Sequence, residues 1–139
     1  MDQRVRDHIA ESFAAQSMMA TLGAELSRIE KGQVEITAPI LPGSRQQQGF
    51  GHAGLTFAIG DSAAGYSALS VLSTGCDVLT AEMKINLLAP AKGDVLRATG
   101  RVIKPGRRLI VVSAEVHALE AGHETLIALL QGTMVPLGA

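Results

Sequence analysis

HAGLTFAIGDSAAGYSALSVLST, residues 52–74, offers no formal charge except Asp61. A helix with one face in water shows a polar stripe, and this stretch has none. It is therefore expected to form a central helix, about 52–74, covered almost all round. Ala53, Gly54, Ala58, Gly60, Ala63, Ala64 and Gly65 are small enough to let other backbone approach closely. A sheet wrapped round one helix would supply that cover.

The flanking sequence has the strands for such a sheet. Before the helix, Ala24, Leu26 and Ile29 lead into the turn pair Lys31-Gly32, and Val34, Ile36, Ala38 and Ile40 then alternate with Gln33, Glu35 and Thr37. After it, Leu79, Ala81, Met83, Ile85 and Leu87 alternate with polar residues up to Pro90. Three more strands are expected, Asp94 to Ile103, Arg107 to Leu119 and Glu124 to Val135, separated by the turn sequences KPGR and EAGH. TLIALLQGTMV, in the last of them, is apolar on both faces and belongs inside the sheet. Val5, Ile9, Phe13, Met18 and Leu22 mark an N-terminal amphipathic helix, about 4–22. Connections this short exclude parallel crossovers. The expected class is α+β: an antiparallel sheet of five to six strands around one long helix, in a single domain spanning 1–139.

Composition narrows the function. Twelve Lys and Arg against 13 Asp and Glu leave no global field for nucleic acid or an anionic membrane. Aromatic residues make up 3% of the chain and tryptophan is absent, which disfavours base-stacking platforms. The lone Cys76 excludes an internal disulfide framework, and no spacing of His, Cys or acids predicts a metal. MDQRVRDHIAESFA has no apolar run of the secretory kind, and the most apolar window, Leu55 to Leu72, is interrupted by Asp61, glycines and serines. A cytoplasmic protein is expected.

Asp61 then stands out. A carboxylate among apolar neighbours loses hydration, and it persists where it is paired, neutralised or used. A capped or solvent-facing acid is the structural alternative; a base or nucleophile of raised pKa is the functional one. A helix rises about 1.5 Å per residue, so Ala53 and Asp61 lie about 12 Å apart along the axis. If free N–H groups at the helix start hold an oxyanion while Asp61 does the chemistry, the two must come from different chains. A twofold dimer with antiparallel central helices meets that requirement.

The string Gln46-x-x-Gly49-x-x-His52-Ala53-Gly54 followed by Asp61, with MKINLLAPAKGD at 83–94, resembles the hotdog-fold thioesterases. The likeness is to the PaaI-like branch of the phenylacetate pathway and its hydroxybenzoyl-CoA thioesterase relatives, and it runs from Leu22 to Val135. It implies hydrolysis of an aryl- or medium-chain acyl-CoA, with coenzyme A as part of the substrate and no cofactor. It also implies homodimers that form the active site and pair into tetramers. Carried over residue by residue, Asp61 falls on the catalytic acid, the Ala53 N–H on the oxyanion donor beside Gly54, and Gln46 on the amide that helps hold the carbonyl. Thr80 matches a residue that assists the attacking water, and His52 one that shapes the helix start. Ala53 replaces the first glycine of the family pair, and Gln46 the commoner asparagine.

Thr80 is the residue on which pattern and resemblance pull apart. Strand alternation places it opposite Leu79, Met83 and Ile85, towards a partner subunit or the far side of the sheet if that face packs on the helix. Arg107, Arg108, Lys104 and Lys92, with Arg45, could meet the phosphates of CoA, or could be solvated hairpin residues. Tyr66, Phe57, Leu69 and Phe50 could line an acyl pocket or be core. A non-catalytic acyl-CoA-binding domain is the alternative function. A dehydratase would need a catalytic histidine motif that is not found.

Overall fold

The computed structural model describes residues 1–138. Two helices open the chain, α1 (Gln3–Ala15) and α2 (Ser17–Thr21), followed by a hairpin of β1 (Glu25–Glu30) and β2 (Gln33–Pro39). A loop with one 3-10 turn, Pro42–Ser44, leads to α3 (Ala53–Leu69). Four strands complete the fold: β3 (Asp77–Leu87), β4 (Val95–Pro105), β5 (Ile110–Glu120) and β6 (His123–Leu137). They form one six-stranded sheet in the order β1-β2-β4-β5-β6-β3, with every neighbour antiparallel. The expected class and strands are present, and β6 lies inside the sheet. The strand after the central helix crosses to the far edge, leaving one side of β3 without a neighbour.

Alternation builds the core. Ile36 and Ala38 of β2, Leu96 and Ala98 of β4, Val112 and Val116 of β5, and Ile127 and Met134 of β6 are buried with Ile59, Ala63, Ala64 and Ala68 of α3. Small residues permit the close approach read from the sequence: a Cβ on Gly100 of β4 would run into the peptide between Ala63 and Ala64. Backbone cannot swing aside as a side-chain tip can. Gly100→Ala is expected to push α3 off the sheet and cost about 3 kcal/mol. The check is a lowered denaturation midpoint at unchanged slope.

Four expectations change. The N-terminal helix is not continuous from 4 to 22, because Gln16 is extended (φ −79°, ψ 96°) and separates α1 from α2. The central helix ends at Leu69 rather than Thr74. There the Ser67 and Ser70 hydroxyls bond carbonyls three residues back, and Ser70 Oγ also accepts from the Gly32 N–H at 2.7 Å. Cover all round the helix is not met within one chain, because the sheet lies on one side only. Ala53, Gly54, Phe57, Ala58, Asp61, Ser62 and Gly65 form a stripe that is exposed or half-buried.

The fourth change concerns the face of β3. The β3–β6 register shifts between Thr80 and Glu82, and one extra residue reverses which side chains face the helix. Val78 and Thr80 face inward before the bulge and Met83 and Ile85 after it, while Leu79 is 60% exposed. Gly132 sits opposite the bulge, where a Cβ would strike the Glu82 carbonyl oxygen.

Candidate active site

Asp61 stands midway along the open stripe of α3, held by the strand that the bulge turned towards it. The Thr80 hydroxyl donates to Asp61 Oδ1 at 2.8 Å. That leaves Oδ2 without a side-chain donor among the described residues. Burial holds the Asp61 carboxyl above the ordinary carboxylate range, and the Thr80 hydrogen bond opposes this less strongly. A carboxylate in that position is a better proton acceptor than one in water. Alternation sets Thr80 opposite Met83 and Ile85, towards a partner subunit or the far side of the sheet; the bulge instead turns it to Asp61 of α3.

The start of α3 is built differently. His52 is the N-cap, in extended conformation (φ −65°, ψ 144°), and its Nδ1 accepts from the Gly54 N–H at 2.7 Å. A Cβ on Gly54 would sit 3.0 Å from that nitrogen, so the glycine lets the imidazole close on the helix. The Gly54 donor is consumed by this cap. Leu55 and Thr56 donate to the His52 carbonyl, leaving Ala53 as the first-turn N–H without an acceptor among the described residues. This free donor points with the positive end of the helix dipole.

Gln46 lies beside it. Its Oε1 accepts from the backbone N–H groups of Gln48 and Phe50, and its Nε2 donates to Gln48 Oε1 at 3.2 Å. One amide N–H remains for a ligand. Gly49, at φ +89°, makes the turn that folds this loop back, and Arg45 staples it by donating to the carbonyls of Gly49 and Ile40. Two of the five Arg45 N–H groups are thus used within the loop, and the residue remains exposed.

The two groups of residues occupy separate cavities. One of about 220 Å³ is lined by Asp61, Thr80, Tyr66, Gln16, Ser12 and Met134. The other, about 420 Å³, is lined by Gln46, Phe50, Ala53, Leu87, Leu88 and Ile127. Leu69 belongs to the first cavity and Phe57 to neither, standing 36% exposed on the stripe. Ser12 and Gln16 were missed from sequence, where nothing marks a contact between residues fifty positions apart. Lys104, Arg107 and Arg108 are exposed at the β4–β5 turn, and Lys92 precedes β4, 4.0 Å from Glu120. Eleven strand residues separate the two ends, about 35 Å, so these cations do not form one cluster within a chain. Among the described residues no group of three His, Cys, Asp or Glu could hold a metal, and no helix is long and apolar enough to cross a membrane.

The helix start thus has one free N–H and shares a cavity with the Gln46 amide, and an acid follows nine residues beyond the cap. Residues 48–123 match the family model described as Thioesterase superfamily. The chain belongs to that superfamily. Thioester hydrolysis is the family's general activity, and this thioesterase is accordingly a hydrolase. A thioesterase family protein from Silicibacter pomeroyi is 42% identical, with a TM-score of 0.91 over 99% of this chain and 98% of that one. The PaaI protein of the E. coli phenylacetic acid degradation operon shares the hotdog fold at 20% identity, TM-score 0.86, over 99% and 96%. A Bacillus halodurans protein solved with CoA shares it at 23% identity, TM-score 0.77, over 97% and 89%. The thioesterase is PaaI-like in fold, as its motif implied.

Proposed function

We propose that this thioesterase hydrolyses an acyl-CoA to the free acid and CoA at a site shared by two copies of the chain. The observation that carries the reading is the division of one chain into two half-sites. The free Ala53 N–H and Gln46 lie in one cavity, Asp61 and Thr80 in the other, about 12 Å apart along α3. A thioester carbonyl cannot reach both. A second copy related by a twofold axis, its α3 antiparallel to the first, would bring each half-site to its complement. The uncovered stripe of α3 and the unpaired side of β3, with Leu79 and Leu87 exposed, are surfaces that such a copy would cover. Pairing of two dimers into a tetramer belongs to this reading and is checked by sedimentation.

In the shared site the thioester oxygen accepts from the Ala53 N–H and the spare Gln46 N–H, which together stabilise the charge that develops on it. Asp61 of the partner chain takes a proton from the attacking water, or attacks the carbonyl carbon itself. Either step uses the ionised carboxylate. Thr80 holds Oδ1 so that Oδ2 faces the substrate.

Free-thiol release from a panel of aryl, short-chain and long-chain acyl-CoAs tests the activity, and flat traces across the panel would overturn it. The Thr80 role has its own check. Thr80→Val removes a donor that favours the ionised acid, so the Asp61 pKa should rise and the acid limb of the kcat profile should move to higher pH. An unmoved limb would refute that role.

A further inference from the structure

We propose that the acyl group lies in the Asp61 cavity with its far end against Ser12, Gln16 and Tyr66, and that Gln16 sets the length of acyl group admitted. This rests on Asp61 being the reacting carboxylate. The thioester sends two arms from its carbonyl carbon. The arm that ends in a nucleotide is far larger than 220 Å³ and has to reach solvent, so the acyl arm is the one this cavity can enclose.

The unexpected break in the N-terminal helix supplies one wall of this cavity. Gln16 is the one residue between α1 and α2, and its Nε2 donates to Tyr66 Oη at 2.7 Å. Ser12 Oγ, one turn earlier, lies 3.0 Å from the same oxygen, and the Phe13 ring tilts against the Tyr66 ring at 6.1 Å. A cavity of about 150 Å³ accepts benzene, so this one admits a ring with a short substituent or a chain of roughly six to eight carbons. A longer chain would have to displace Gln16.

That wall is also polar in a defined sense. Tyr66 Oη and Ser12 Oγ carry two hydroxyl protons, and the bond between them uses one. Gln16 supplies a third proton to Tyr66 and takes none from either hydroxyl. Whichever oxygen donates in the Tyr66–Ser12 bond, one hydroxyl proton remains without an acceptor among the described residues. The ligand class that satisfies it is a short acyl group with an acceptor oxygen, such as a ketone, at its far end.

The test measures kcat/KM for straight-chain acyl-CoAs of about four to twelve carbons and for keto counterparts with the oxygen next to the terminal carbon. In the wild type, kcat/KM should fall by about tenfold once the chain exceeds the cavity, and near that limit the keto compound should lead its hydrocarbon match by about tenfold. Gln16→Ala should move the cut-off to longer chains, while Gln16→Leu, which refills the space, should keep it short. The Ser12→Ala/Tyr66→Phe double variant should lose the keto preference. Each readout is a ratio between substrates, so a smaller folded fraction leaves it unchanged. A working enzyme whose ranking is unaltered by Gln16→Ala, or whose wild type ignores the keto oxygen, overturns this proposal alone. Failure to hydrolyse any thioester overturns the hydrolase reading and this proposal with it.

Discussion

Asp61→Asn is expected to lower kcat by about 10³-fold or more, because asparagine can neither accept the proton of water nor attack as a carboxylate. Oδ1 keeps its hydrogen bond from Thr80, so acyl-CoA binding and the fold should survive. Stability supplies an independent readout with a definite sign. Folding raises the Asp61 pKa, chiefly through burial, so the folded chain holds this proton more tightly than the unfolded one. Near pH 3 and below, the acid is protonated in both states and the variant should be no more stable than the wild type. As pH rises through the raised value, ionisation costs the wild type stability that the asparagine chain keeps. Thermal midpoints should therefore separate at neutral pH, with the variant higher, and converge in acid. In the wild type kcat should decline on acidification at a pH above the usual carboxylate range. A variant that turns over at the wild-type rate would remove Asp61 from the mechanism.

Ala53→Pro should lower kcat by about 10²-fold through the loss of a single N–H. Ala53 is the first residue of α3, where proline is well accommodated, and His52 already has the extended backbone favoured before proline. The helix should form as before, lacking only the proposed oxyanion donor. Ala53→Val, which adds bulk but keeps the N–H, separates a blocked cavity from a missing donor and should retain much more activity. Mixing the two inactive chains tests the shared site. In a dimer of one Asp61→Asn chain and one Ala53→Pro chain, one site carries both lesions and the other carries neither. Random pairing should then restore about a quarter of wild-type activity. A site contained within one chain would restore none.

Much of the fold was legible because its signals are local. Alternation at Val34, Ile36 and Ala38, and turn chemistry at Lys31-Gly32 and Ala121-Gly122, act over a few residues and predict strands and hairpins with ends close to those observed. The composition of α3 predicted a helix against backbone, and Gly100 meeting Ala63–Ala64 is that contact. The string from Gln46 to Asp61 was legible only as a resemblance, and the fold puts Gln46 and Asp61 in separate cavities of one chain. Boundaries were less so. Ser67 and Ser70 end α3 early with hydroxyl bonds whose geometry involves Gly32 of a distant hairpin.

The sequence by itself determined the α+β class and the central helix with its single acid, since each follows from short-range periodicity and composition. Only the tertiary structure decided that Thr80 faces Asp61, because one inserted residue at a bulge reverses strand parity and leaves no mark in the alternation. It alone decided that Gln16 breaks the first helix and meets Tyr66, a contact made across fifty residues once α3 lies on the sheet. It also decided which stripe of α3 stays open, because a sheet that covers one side of a helix leaves the other for whatever packs there next.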